Sequence, residues 1–422
     1  MKVLWITNPI LPRACEYLNR QPSVSGGWLS GFLDALSGLK QLQLCVVTVY
    51  DGKELLSFHA EGVAYYLIPK KRPSTAYDRS LEKHYRTICD TFQPEVIHIH
   101  GTEYNFGQAC MNACPEFRYV VSIQGLVSVI ERYAFAGMDI KEIWRNITFR
   151  DVVRRETIFQ TRRQLRKRGI YERQYISRVH HVIGRTYWDE VHSKAINRKI
   201  NYHFCNDNLQ KEFYNTSRRW NLQSIEKYSV YMSQGFFPIK GLHILLKAAH
   251  IVRQKHPSLK IYVAGYSPVK SNSIRDRITT TGYGKYIRGL IKKLALEEVV
   301  VFTGPLTVDG VINRLLKSHV CVFPSSIENG SSLGEAQYLG TPGIVSYAGG
   351  MPTTVRDEET GLMYRFEEYE MLADLLDRVF SDRQLAEKLS KAGMVVSSQR
   401  HSGAANAESL LSIYNRIIQL NA

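Results

Sequence analysis

Short runs of β-branched and aromatic residues recur along the chain, separated by longer segments whose apolar positions follow helical spacing. The first series reads 3–8 (VLWITN), 44–50 (LCVVTVY), 63–68 (VAYYLI), 95–100 (EVIHIH), 119–124 (YVVSIQ) and 180–184 (HHVIG). The second reads 228–233 (YSVYMS), 260–265 (KIYVAG), 299–303 (VVVFT), 320–324 (VCVFP) and 343–347 (GIVSY). These runs are nearly continuously apolar rather than alternating. That is the signature of strands covered by helices on both faces, hence of parallel sheets. Two such series predict two doubly wound α/β domains.

The polar stretch "NTSRRWNLQSIEK", 215–227, separates the series. The predicted domains are therefore 1–222 and 226–404, with a last helix at about 405–422 returning to the first domain. In open parallel sheets, ligands bind outside the carboxyl ends of the strands. The cleft between the two domains is thus the expected site, and the residues just after each strand carry the information.

After the first strand, Gly26 and Gly27 open an amphipathic helix in "VSGGWLSGFLDALSG". A glycine pair there lets backbone N–H groups approach a phosphate, though a plain loop-to-helix turn has the same pattern. In "YMSQGFFPIKGLHILLKAAHIV", Lys240 stands at the entry to a periodic helix. A cation at a helix start is unfavourable unless an anion is near. Further on, "FPSSIENGSSLGEAQYLGTPGIVSYAGG" (323–350) places Glu328 and Glu335 around a Gly/Ser-rich turn. Ser332 and Glu335 have capping-box spacing, which gives Glu335 a structural role. Alternatively, its carboxylate accepts hydrogen bonds from two ribose hydroxyls.

Composition narrows the class. Apolar residues make up 44% of 422, and no apolar run approaches the ~18–20 residues of a membrane span. The opening "MKVLWITNP" reads as a core strand rather than a signal peptide. Seven scattered cysteines, at 15, 45, 89, 110, 114, 205 and 321, read as reduced buried thiols of a cytosolic protein. Cys110 and Cys114 can share a helix face, but no second pair completes a zinc site. The net charge is +16, and residues 141–185 hold thirteen Lys/Arg against four Asp/Glu. That block predicts an anionic partner or a solvated basic face.

Taken together, these residues resemble a family-4 glycosyltransferase of the GT-B fold, over essentially the whole chain. The likeness is strongest in "KGLHILLKA", "KIYVAG", "VVFTGPL", "VFPSSIENGSSLGEAQYLGTPGIVSYAGG" and "TGLMY". "SQGFFPIKGL", "SIQGLVS" and "GRTYWDEVHSKAIN" resemble a bacterial subgroup associated with capsule, exopolysaccharide or O-antigen assembly. The resemblance implies two Rossmann-like domains facing each other across a cleft, and a retaining, metal-independent transfer from a UDP- or GDP-sugar. No separate cofactor is implied, and no Asp-x-Asp for a metal–diphosphate occurs.

By the same resemblance, Glu335 holds the ribose and Lys240 the diphosphate. Glu328, Asn329, Gly330, Ser331, Ser332 and Leu333 meet the sugar and phosphates. Thr303 and Gly304 flank the base, and Gly26 and Gly27 approach the diphosphate. Four departures stand out. Gly235 occupies the position of a common phosphate-binding Arg, for which Arg185 is the candidate substitute. Gln124 stands where a His is common, Thr353 where a Glu is common, and the two glutamates are one residue closer than usual. His100, after "EVIHI", also points to the ligand edge.

The acceptor implied is a glycan or a polyprenyl-diphosphate-linked glycan at the cytoplasmic face of the plasma membrane. Ile140, Ile143, Trp144 and Ile147 form an apolar stripe ahead of "RDVVRRETIFQTRRQLRKRG", an arrangement suited to an anionic membrane surface. Three other readings compete: an epimerase or phosphorylase of the same fold, a non-catalytic relative, and a nucleic-acid-binding protein. Poor aromatic interleaving in the basic block disfavours the last, so no nucleic-acid partner is expected.

Overall fold

A computed structural model describes residues 1–21, 26–71, 76–269, 278–328 and 330–420. The chain divides into two units. The first comprises 1–131, 164–211 and 401–422; the second comprises 132–163 and 212–400.

The first unit is built on one eight-stranded sheet with the order β3-β4-β2-β1-β5-β6-β7-β8. Its strands are β1 (Lys2–Thr7), β2 (Gln43–Tyr50), β3 (Leu56–Ala60), β4 (Val63–Pro69), β5 (Val96–His100), β6 (Tyr119–Ser122), β7 (His181–Gly184) and β8 (Asn201–Phe204). All neighbours are parallel except the β3–β4 hairpin. The apolar runs read from the sequence are the buried central strands. β3 and β8 escaped that reading because they alternate or are largely exposed, as edge strands are.

The second unit carries a six-stranded parallel sheet ordered β11-β10-β9-β12-β13-β14. Its strands are β9 (Glu226–Met232), β10 (Lys260–Ala264), β11 (Val300–Gly304), β12 (Ser318–Phe323), β13 (Gly343–Ser346) and β14 (Leu362–Tyr364). In both sheets the strand order reverses beside the first strand, between β1 and β5 and between β9 and β12. Such a switch point leaves a crevice at the carboxyl edge.

One predicted boundary is corrected. Residues 132–163 were assigned to the first domain but pack in the second unit. Ala136, Met138 and Ile143 are buried in that unit's core. The Ala136 carbonyl lies 2.8 Å from His243 Nε2, and Asp151 Oδ2 accepts from the Gly282 N–H at 2.6 Å. The predicted apolar stripe is split as a result. Ile143 faces the core, while Ile140 and Trp144 are exposed and the helix Ile140–Asn146 stops before Ile147.

The helix Gly403–Gln419 belongs to the first unit. Its buried Tyr414 hydroxyl accepts from Trp5 Nε1 at 2.9 Å and lies 2.6 Å from His98 Nδ1. The long basic helix Ile158–Arg178 is anchored by buried Glu172, whose carboxylate accepts from the Val127 and Ser128 N–H groups, each at 2.8 Å. That contact fixes the turn after Gln124.

Candidate functional site

In the second unit, the switch point is closed by two loops tied together. The loop after β9 ends in a 3₁₀ turn, Pro238–Lys240, and the helix Leu242–Val252 begins only after Gly241. The loop after β12 runs from Pro324 to Glu328. The Ser326 N–H donates to the Ile239 carbonyl at 2.9 Å. Gly241 has φ +76°, and a Cβ there would sit 1.5 Å from the Pro324 carbonyl oxygen. Only glycine permits both the left-handed turn and the close approach.

This register sets Lys240 Nζ 2.6 Å from Glu328 Oε2, which also accepts from Ser325 Oγ at 3.1 Å. Both side chains are mostly buried. The cation at the helix entry is therefore balanced by a carboxylate of the protein itself. A third loop supports Glu328 from behind: the Gly350 N–H donates to its carbonyl at 2.8 Å. Gly349, with φ +59°, lies so close that a Cβ would meet the same carbonyl oxygen at 2.4 Å. Despite the shortened spacing, Glu328 is held at the switch point.

The helix Ser331–Leu339 starts at Gly330, in left-handed conformation at φ +88°. Its first turn carries no acidic residue, and its N-cap Gly330 offers no capping side chain. The predicted capping box is thus absent, because the helix begins earlier than the sequence suggested and Glu335 falls in its second turn. Glu335 is half-buried and makes no hydrogen bond or ion pair among the described residues. Burial pushes its carboxyl up to about 7. Asn329 lies outside the described residues.

Gly235 is buried against the core, and a Cβ there would sit 2.7 Å from Val263 and 2.9 Å from Leu242. The position has no space for the arginine that the resemblance leads one to expect. Thr303 and Gly304 end edge strand β11, on the same carboxyl edge and two strands from β9, roughly 10 Å away.

In the first unit, the carboxyl ends of β5 to β8 bring His100, Gln124 and Arg185 around one small cavity of about 20 Å³, together with Trp28, His98 and Asp207. Arg185 is ion-paired with Asp207, and both side chains are largely buried. Asp207 is positioned by its own backbone, whose carbonyl accepts from Asn406 Nδ2 at 3.3 Å and lies 2.7 Å from His401 Nδ1. Arg185 is thus balanced by Asp207 in the first unit, as Lys240 is by Glu328 in the second. His100 is buried with neither ring nitrogen hydrogen-bonded among the described residues. Burial, and then neighbouring His98, lower its pKa well below the usual imidazole range.

Gly26 and Gly27 open the helix Gly27–Leu36. A Cβ on Gly26 would meet Pro9 at 2.8 Å, and one on Gly27 would meet Gln210 at 2.4 Å. Gly26, at φ +91° against the Pro9 ring, is thus required by the backbone, whereas the Gln210 side chain beside Gly27 can turn aside. Two acids escaped the sequence reading. Asp207 follows β8, a strand the pattern missed. Glu103 lies three residues past β5, at the β1/β5 switch point, where its Oε2 accepts from Asn8 Nδ2 at 2.9 Å. Burial, seconded by the charge of Glu172, pushes Glu103 up to about 7. Scanning a few residues beyond His100 would have found it.

Two doubly wound units with these strand orders define the GT-B fold. A sucrose-phosphate synthase from Thermosynechococcus elongatus superposes with TM-score 0.73 at 16% identity, covering 100% of both chains. Anabaena HepE, solved in complex with UDP and glucose, superposes with TM-score 0.66 at 15% identity over 98% of this chain and 99% of that one. Within the second unit, residues 213–395 match the family of glycosyl transferases group 1. An uncharacterized glycosyltransferase of Bacillus subtilis, YqgM, is 29% identical over 188 residues, 44% of this chain. The chain spans about half the length of that curated relative, 48%.

Proposed function

We propose that this protein transfers a sugar, with retention of anomeric configuration, from a UDP- or GDP-sugar to a glycan or polyprenyl-diphosphate-linked glycan. The observation that carries this reading is the Lys240–Glu328 pair at the β9/β12 switch point, with the Glu335 carboxyl, unpartnered among the described residues, on the adjoining helix. The group 1 match over 213–395 and the UDP in the complex of Anabaena HepE support the donor class.

In this mechanism the donor exchanges partners within the pair. The diphosphate takes Lys240, and Glu328 turns to hydroxyls of the sugar. The first turn of Ser331–Leu339 presents N–H groups to the phosphates. Glu335 accepts the ribose hydroxyls. The leaving phosphate takes the acceptor proton, so the protein acts by positioning and by stabilising charge on the diphosphate. No metal or cofactor takes part, and EDTA should leave the rate unchanged.

The acceptor side is read as a membrane-linked glycan in surface-polysaccharide assembly, at the cytoplasmic face. Five exposed apolar residues support it: Ile140, Trp144, Phe149, Val152 and Val153, interleaved with Lys141, Arg145, Arg154 and Arg155. A basic apolar surface of this kind suits an anionic interface. No helix among the described residues is long and apolar enough to cross a membrane.

A thermal-shift panel with UDP, GDP, ADP and dTDP tests the donor reading, since a ligand of the native state raises the melting temperature. UDP or GDP should shift the wild type, and the shift should shrink in Glu335→Ala. No shift with any nucleoside diphosphate, beside a shift with DNA, would sink the transferase reading.

A further inference from the structure

Three cysteines that lie far from the ligand edge converge in the first unit. Cys89 is on the last turn of the helix Ser80–Phe92, Cys110 is on the helix Phe106–Ala113, and Cys114 caps that second helix. Their sulfurs all lie within 4.8 Å of one another, and all three side chains are 0% exposed. The sequence displayed only the i, i+4 pair; the packing of the two helices supplies the third thiol.

The surroundings are those of a ligand site rather than of plain core. Tyr119 Oη donates to the Cys114 carbonyl at 2.8 Å and stands 3.6 Å from Cys110 Sγ. The Tyr85 hydroxyl, one turn before Cys89, is fully buried and has no hydrogen-bond partner among the described residues. Arg86 donates to the Ala113 carbonyl at 3.3 Å and is ion-paired with Asp90 and Glu116. A buried hydroxyl left unmet one turn from Cys89 is costly unless a further group fills the site.

We propose that Cys89, Cys110 and Cys114 form a three-thiolate site for one thiophilic d10 metal ion, monovalent copper foremost. A metal–sulfur bond of ~2.3 Å places three sulfurs ~4 Å apart around a central ion, so the cluster needs only small side-chain rotations. Soft thiolates select copper(I) or zinc(II) among the common ions. No His, Asp or Glu joins the cluster among the described residues. Copper(I) accepts three ligands, whereas zinc takes a fourth, here from water. Each thiol releases its proton to solvent as its metal–sulfur bond forms, without any change of oxidation state. The ion pins two crossover helices together and stabilises the folded chain by mass action.

The test uses the full reduced chain, freed of metal, under anaerobic conditions. Copper(I) and zinc(II) are each titrated against a chromophoric chelator. One equivalent of copper(I) per chain is expected, with thiolate-to-copper charge-transfer absorption and a raised melting temperature. Uptake of one zinc at three sulfurs instead would keep the site and change its ion. Cys110→Ala and Cys114→Ala should weaken binding at least ~100-fold, as loss of a ligand does. Cys45→Ala and Cys321→Ala, also at buried cysteines, should not. Failure of both ions to compete, or equal loss in Cys45→Ala, overturns the proposal. Should the alanine variants not fold, X-ray absorption of the copper-loaded wild type decides. Three sulfur neighbours support the site, and nitrogen or oxygen neighbours in their place refute it.

Discussion

Lys240 Nζ and Glu328 Oε2 stand 2.6 Å apart, although 88 residues separate them in the chain. Two loops at one switch point, joined through Ser326 and Ile239, bring them together. A pair so placed keeps both charges solvated by each other until a donor with opposite and complementary groups arrives. Lys240→Ala should weaken nucleoside-diphosphate binding at least ~tenfold, since a hydrogen bond to a charged group is worth ~1.5–3 kcal/mol. Glu328→Gln should leave that affinity within a few-fold of wild type but lower turnover by ~100-fold or more, as removal of a transition-state contact does. Calorimetry and initial rates separate the two. Equal loss of affinity in both variants would contradict the exchange of partners.

Glu335 gives a pH signature. Its folded carboxyl is raised from 4.5 to about 7 by burial. The protonated form is therefore favoured on folding. The stabilisation is complete below the unfolded pKa and is lost as pH rises through about 7. Glu335→Gln should flatten that part of the stability–pH curve between pH 5 and 8, measured by urea unfolding. Nucleoside-diphosphate affinity of the wild type should rise over the same window, because ribose hydroxyls donate to the ionised form, and the variant should lose that rise.

Gly241→Ala should destabilise the second unit by at least ~2 kcal/mol. The residue sits at φ +76°, and its Cβ would collide with the Pro324 carbonyl. Nucleotide binding should fall in step, because the same turn aims Lys240. A melting temperature within a degree of wild type would refute the packing argument.

Asp207 and Arg185 form a largely buried pair in the first unit. Asp207→Ala leaves a buried guanidinium without its carboxylate and should cost ~3–5 kcal/mol. Arg185→Gln should destabilise the chain while leaving nucleoside-diphosphate affinity within about twofold. A much larger loss of affinity would return Arg185 to the diphosphate.

The exposed residues Trp144 and Phe149 are the most apolar part of the basic surface. Changing both to Ser should reduce binding to anionic vesicles by ~100-fold or more if both are fully inserted, each large apolar side chain contributing ~1.5–3 kcal/mol when fully buried. Binding to neutral vesicles should be weak in both proteins. Sedimentation with vesicles measures it.

The strand pattern was legible because central parallel strands are apolar on both sides, as Val3–Ile6 and Val320–Phe323 are. The edge strands β3 and β8 were not, since one side of each faces solvent. One helix start was misread, where glycine rather than a polar cap opens the helix: Gly330 does so in left-handed conformation, which periodicity cannot register. The same blindness turned Glu335 into a capping residue.

By itself the sequence determined two doubly wound sheets, the carboxyl edges that bear Lys240, Glu328, Glu335, His100 and Arg185, and the absence of room for a long apolar span. These follow from periodicity and from the topology of parallel sheets, which are local or nearly local properties. Tertiary structure alone decided who meets whom. It paired Lys240 with Glu328 and Arg185 with Asp207, left Glu335 without a partner among the described residues, moved 132–163 into the second unit, and gathered Cys89 to Cys110 and Cys114. Contacts between distant segments depend on how helices and loops pack over a sheet, and that information is spread over many residues at once.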